Sequence, residues 1–147
     1  MIVDPYQIVN DKALLLASGS KVQQSGIDVT IKSIKEIWHS TPTEIQYSQE
    51  ISLPSTLLEK RAFDFTCHEF VEVPKNMVAL LFIRSTYNRR GAFITTGLYD
   101  NGFKNFIGGV LHTMAPLILE KDARIGQIVF FKTEHTAQYD GSYQYKK

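Results

Sequence analysis

Turn-forming residues break this chain of 147 residues into apolar runs too short for anything but strands, and that spacing constrains the fold more than any other feature. The runs cover residues 13–17, 27–34, 63–73, 77–83, 92–98, 106–113, 116–120 and 125–132. Turn signals fall between them at Ser18-Gly19-Ser20, Pro74-Lys75-Asn76, Asp100-Asn101-Gly102 and Glu120-Lys121-Asp122. Helix is confined to short turns: residues 54–60, with Ser55 as the cap, and a single turn over residues 85–90. Residues 40–51 are polar and poorly patterned and read as a long hairpin loop. The expected fold is all-β, a sandwich or jelly roll in one domain spanning residues 1–132, followed by a flexible, polar, tyrosine-rich tail over residues 133–147 that is a candidate active-site lid.

The length suits one domain, and 44% hydrophobic residues supply a normal core. A net charge of +1, from 16 basic and 15 acidic residues, gives no global field toward polymeric nucleic acid or an anionic membrane. A small anionic ligand must therefore be held by local clusters. The longest apolar run, residues 77–83, is too short to span a bilayer, and the N-terminus shows no charged segment followed by an apolar signal core, so a cytoplasmic location is expected. The single cysteine, Cys67, excludes an internal disulfide and fits a reducing compartment. Cys67-His68-Glu69 invites a nucleophile or metal reading, but no Cys-x-x-Cys or His-Glu-x-x-His spacing accompanies it. The flanking alternation suits a strand with Cys67 turned inward, and the missing cysteine pair argues against a zinc nucleobase deaminase.

The densest chemistry lies between Arg84 and Phe103. Arg84 offers a planar fork of donors suited to phosphate oxygens, Ser85 adds a hydroxyl, and Arg89 follows one short turn later. Thr95-Thr96-Gly97 leads into Gly97-Leu98-Tyr99-Asp100-Asn101-Gly102-Phe103. This stretch resembles the central motifs of the dUTPase and dCTP deaminase superfamily, in which an Arg-Ser step binds phosphates and a Gly-x-x-Asp-x-Gly-aromatic hairpin holds base and sugar. Ser25-Gly26-Ile27-Asp28-Val29 is similar to the family's first motif, Val73-Pro74-Lys75-Asn76 to the turn leading into Arg-Ser, and Arg124-Ile125-Gly126-Gln127-Ile128 to its Arg-Ile-small-Gln motif. The ordered set covers roughly residues 22–132 and is far more specific than any single match.

The resemblance implies a distorted jelly roll that assembles as a homotrimer with active sites between subunits. It implies that Asp100 orients and deprotonates the water that attacks the α-phosphate, a role an ionised Asp can fill at neutral pH; read alone, Asp100 is a turn former. Phe103 stands where the family packs an aromatic on the deoxyribose and excludes a 2′-hydroxyl; its plain alternative is core filling. Arg84, Ser85 and Gln127 would contact the triphosphate, with Arg84 contributing more to subunit contacts than to the ligand. Backbone groups of residues 94–98 would read the pyrimidine edge. Mg²⁺ is the expected cofactor, bound through phosphate oxygens and water. Asp28 either assists it through water or holds the first motif's turn.

The superfamily forks at one position. In the metal-free deaminases a Glu ten residues beyond the hairpin Asp shuttles protons, and here that position is Val110. Without a carboxylate there, deamination loses its acid and base, which favours dUTP hydrolysis to dUMP and pyrophosphate. Other features lean toward the deaminase branch: Arg89, Thr95-Thr96-Gly97, a hairpin about two residues short, and Tyr139-Asp140-Gly141-Ser142-Tyr143-Gln144, which resembles the deaminase lid, with Tyr143 a candidate ligand contact. The glycine-rich fifth motif of trimeric dUTPases is absent. Two alternatives stay open: a dCTP deaminase or other pyrimidine deoxynucleotide enzyme using a displaced base, with Glu120 and His112 as the only nearby candidates, and a non-catalytic nucleotide-sensing or structural protein on the same fold.

Overall fold

The computed structural model describes residues 1–146. Its strands in chain order are β1 (Leu14–Leu15), β2 (Lys21–Val22), β3 (Ile27–Ser40), β4 (Ile45–Tyr47), β5 (Ser55–Leu57), β6 (Arg61–Glu72), β7 (Met77–Ile83), β8 (Ala92–Thr95), β9 (Lys104–Thr113), β10 (Leu117–Leu119) and β11 (Arg124–Lys132). Two short helices, α1 (Pro5–Asn10) and α2 (Ser85–Asn88), complete it. The main sheet runs β7-β11-β3-β6-β9-β8, with β1 added on β6 and β2 and β4 on β3, while β10 pairs with β5 alone. Beyond β8 the chain returns to β7, where Ala79 and Tyr99 exchange backbone hydrogen bonds of 2.9 and 3.1 Å. That bridge nearly closes the sheet into a barrel-like jelly roll, and an all-β domain thereby shelters its edges.

Alternation within the long strands builds the core. On β6, Phe63, Phe65, Cys67, Glu69 and Val71 are buried, and Asp64, Thr66, His68 and Phe70 face the other way. Ile27, Val29, Ile31 and Ile34 of β3 and Ile125, Ile128 and Phe130 of β11 meet them inside. Glu69 is the one acidic group besides Asp28 fully within this interior, and it is satisfied: it accepts from Thr30 N and Oγ1, both at 2.9 Å, and from Ser20 Oγ at 2.6 Å. Cys67 is wholly buried, and desolvation pushes its thiol well up, which suits a packing residue and not a nucleophile.

Three sequence expectations change. Residues 54–60 are not helical: Ser55, Thr56 and Leu57 pair with Leu119, Ile118 and Leu117, so Ser55 caps nothing, and pairing that buries Leu57 against β10 overrides the local helical pattern. Residues 40–51 are a true hairpin with a tight turn, because β3 runs on to Ser40 and β4 folds back on it after Thr41 N donates to Glu44 O. The helix α1 was not anticipated, although Asp4-Pro5 carries its signal: Asp4 Oδ1 accepts from Tyr6 N at 2.9 Å and Pro5 opens the helix.

Candidate functional site

Two cavities gather most of the expected residues, and they do not share a wall. The larger, about 600 Å³, opens where residues 95–99 leave β8. Thr95, Thr96, Gly97, Phe103 and Tyr143 line it, together with Asp64, Tyr99 and Val110. Its size is that of a small-molecule pocket. The Phe103 ring is nearly buried and packs edge-on against Tyr99 and Tyr139, with centroids 5.5 and 5.3 Å away. Tyr99, which the sequence did not single out, donates its hydroxyl to Gly108 O at 2.6 Å, and burial pushes that hydroxyl far above its ordinary range. It fixes the floor and does not titrate.

The hairpin that carries Asp100 and Phe103 is pinned at its turn. Phe103 N donates to Asp100 O at 3.0 Å, and Gly102 adopts φ +78°, a conformation open to glycine and costly for other residues. Asn101 is buried and donates through Nδ2 to Lys75 O and Thr133 Oγ1, both at 2.9 Å. Asp100 is half-buried, lines neither cavity, and makes no side-chain hydrogen bond or ion pair among the described residues. Arg89 ends α2 on the exposed surface and also lies on neither wall.

The smaller cavity, about 310 Å³, is lined by Asp28, Arg84, Ser85 and Gln127 with Gln23 and Thr86. Asp28 is its anchor. Its Oδ2 accepts from Arg124 Nη1 at 3.0 Å and Gln23 Nε2 at 2.8 Å and lies 3.6 Å from Arg84 Nε. Gly26 permits this arrangement, since a Cβ there would stand 2.7 Å from both Ile128 O and Gln127 Cγ. Two guanidinium groups against one carboxylate leave this corner positive, which suits an anion such as a phosphate.

Asp28 Oδ1 is buried with no partner. A buried acceptor left unpaired is costly, so this oxygen is suited to a water or a solvated cation. Among the described residues no group of three His, Cys, Asp or Glu side chains could hold a metal directly. The donor set thus fits Mg²⁺ held mainly by phosphate oxygens, with Asp28 reaching it through water, and not a metal caged by protein ligands.

Residues of the C-terminal tail sit over the larger cavity of their own chain. Tyr145 N donates to Lys104 O at 2.8 Å, Gln144 Oε1 accepts from Lys104 N at 2.6 Å, and Gln144 Nε2 donates to Gly102 O at 3.0 Å. Asn105 Nδ2 donates to Tyr143 O at 2.9 Å, and Tyr145 packs edge-on against Phe70 at 5.2 Å. The last residue assigned to the tail, Lys147, lies outside the described residues.

The sequence named Glu120 and His112 as the only nearby substitutes for a missing carboxylate, and the structure corrects this. Neither lines the larger cavity; His112 instead stacks on Phe93 at 4.6 Å and meets Thr95 Oγ1 through Nε2 at 2.8 Å. The carboxylate on the wall is Asp64, which β6 sets directly opposite Val110. Alternation along β6 marks Asp64 as outward-facing, but no local signal reveals its register with β9.

Comparison with known proteins bears on this geometry. Residues 7–133 match the family described as dCTP deaminase-like. A protein from Methanococcoides burtonii named probable deoxyuridine 5′-triphosphate nucleotidohydrolase is 30% identical over 139 residues, covering 85% of this chain and 82% of its own. The dCTP deaminase of Sulfurisphaera tokodaii is 33% identical over 87 residues, or 56% of this chain and 46% of its own. Among solved structures, the dCTP deaminase from Agrobacterium tumefaciens superposes with a TM-score of 0.71 at 15% identity, covering 88% of this chain and 47% of that one. The native dUTPase of EIAV gives 0.61 at 12% identity, covering 88% and 95%. At such identities the structural likeness shows the fold. No helix among the described residues is long and apolar enough to cross a membrane.

Proposed function

Since the chain belongs to the dCTP deaminase-like family, whose members act on pyrimidine deoxynucleotides, we infer that it is a dUTP diphosphatase releasing dUMP and pyrophosphate. The observation that carries this reading is Val110 on the wall of the larger cavity. A hydrolytic deaminase needs a proton shuttle beside the base; the isopropyl group of Val110 cannot move a proton, and in a deaminase Asp64 opposite it would have to take that role. The similarity to the probable nucleotidohydrolase over most of both chains supports the same choice.

In this reading the larger cavity takes the nucleoside and the smaller cavity the phosphates. Phe103 packs flat on the deoxyribose and leaves no space for a 2′-hydroxyl, which selects against UTP. Arg84, Ser85 and Gln127 hold phosphate oxygens, with Arg84 oriented by Asp28. Asp100, whose side chain has no partner among the described residues, accepts the proton of the water that attacks the α-phosphate. Mg²⁺, when bound through the phosphates, would neutralise charge that builds on the leaving pyrophosphate. Asp28 would hold one of its waters through Oδ1.

The two cavities share no lining residue, and the reading includes a homotrimer in which neighbours supply complementary halves. The tail through residue 146 acts as the lid, closing on the nucleoside cavity through Tyr139 and Tyr143. The reaction is tested by incubating purified protein with Mg²⁺ and dUTP, dCTP or UTP and identifying the products. Pyrophosphate from dUTP alone is expected; ammonia from dCTP at a comparable rate would replace this reading with deamination. Mass measurement in solution tests the trimer, and a stable monomer that turns over dUTP would rule it out.

A further inference from the structure

Asp64 occupies the centre of a row that crosses the sheet. It is the Cα partner of Val110 on β9, and Val110 is the partner of Thr95 on β8. Directly opposed residues of antiparallel strands point to the same face, and all three line the larger cavity. Among the described residues that line it, Asp64 alone carries a formal charge.

That charge is poorly compensated. Lys35 is its partner on β3, yet no ion pair joins them, and Lys35 Nζ lies instead over the Tyr47 ring at 3.9 Å from the centroid. The one hydrogen bond to the Asp64 side chain among the described residues comes from Tyr47 Oη at 3.4 Å, long for an O–H···O bond. Withdrawal from water raises its carboxyl above the ordinary range despite both neighbours. A half-buried carboxylate with spare acceptor capacity on the wall of a pocket is open to water and to a bound ligand alike. It is suited to a ligand donor.

We propose that Asp64 reads the base, accepting a hydrogen bond from the N3–H of a uracil ring held in the larger cavity. The proposal rests on the dUTP reading of that site and adds its specificity determinant. Uracil presents an acceptor, a donor and an acceptor along its edge, and the central N–H requires an acceptor from the protein. Cytosine presents a bare N3 lone pair at the same place, which an ionised carboxylate repels. Val110 beside Asp64 offers neither donor nor acceptor, so discrimination falls to Asp64 and to the backbone of residues 96–98.

The test is calorimetric titration of dUMP, dCMP and N3-methyl-dUMP into the full chain, with Asp64→Asn and Asp64→Ala alongside and dUTP turnover followed in parallel. Wild type binds dUMP at least ~10-fold more tightly than N3-methyl-dUMP, as expected for loss of a hydrogen bond to a charged group. Asp64→Ala loses about the same factor for dUMP and little for N3-methyl-dUMP, while Asp64→Asn, whose amide oxygen still accepts from N3–H and whose amide nitrogen donates to a bare N3, loses less for dUMP and gains affinity for dCMP. If the Ala variant does not fold, Asp64→Asn carries the test through its affinity for dCMP; the N3-methyl comparison needs no variant. Unchanged dUMP affinity in folded Asp64→Ala, an equal loss for dCMP in that variant, unchanged dCMP affinity in folded Asp64→Asn, or no dUMP binding by wild type would each overturn the proposal. Binding with this dependence but without pyrophosphate release would support Asp64 as the base reader while removing the hydrolase reading.

Discussion

Arg84 and Asp28 stand 3.6 Å apart at the edge of the smaller cavity, one at the end of β7 and the other near the start of β3, with Arg124 closing on the same carboxylate oxygen from β11. The pairing ties together three motifs distant in sequence, and it orients the Arg84 fork while leaving it partly exposed. Asp28→Asn should therefore both loosen the fold and misdirect Arg84. Breaking a buried pair by removing one partner costs up to about 3 kcal/mol, the low end here because both guanidinium groups reach solvent. Urea denaturation reads the loss; an unchanged midpoint would mean the cluster holds nothing in place.

Asp100→Asn preserves the shape of the hairpin turn but cannot accept a proton. Turnover of dUTP should fall by at least ~10²-fold while nucleotide binding persists, as for loss of a general base. Full activity in this variant would take Asp100 out of the mechanism.

Asp64 also carries a stability prediction. Its carboxyl is raised in the folded protein, so between its unfolded and folded values the native state binds more protons than the unfolded one. This group's contribution therefore weakens as pH rises from the ordinary Asp range through the raised value, and ionised Asp64 burdens the fold at neutral pH. Asp64→Asn should melt at a higher temperature than wild type at pH 7, with the difference shrinking as pH falls through and below the ordinary Asp range, where Asp64 becomes protonated in both states. A variant that melts lower than wild type at pH 7 would show that the charge is compensated after all.

How far the sequence carried the fold depended on whether a feature was local. The long strands, the Asp100 to Phe103 turn and the inward Cys67 all follow from alternation or turn chemistry within a few residues. Residues 54–60 were misread because their strand exists only through pairing with β10. The site divides in the same way. Arg84, Ser85 and Gln127 were legible as motifs and meet at one cavity, whereas Asp64 could not be found: its importance arises from standing opposite Val110, a register that no window of sequence contains. The partition of the expected residues between two cavities was likewise a matter of tertiary placement.

Truncation after Thr136 removes Tyr139 from Phe103 and Gln144 from the hairpin while leaving every strand intact. The shortened chain should fold with a similar melting temperature and should bind and turn over dUTP less well, since a lid excludes water and fixes the ligand. Equal turnover and affinity in the truncated and full chains would show that the tail is not a lid.

The most direct test of the account is to follow pyrophosphate and ammonia together when the full chain meets dUTP and dCTP with Mg²⁺. Val110 in place of a proton-shuttling carboxylate, with Asp100 on the adjoining hairpin, predicts stoichiometric dUMP and pyrophosphate from dUTP and no ammonia from dCTP. Ammonia released from dCTP as fast as pyrophosphate from dUTP, or neither product from either nucleotide, would contradict it.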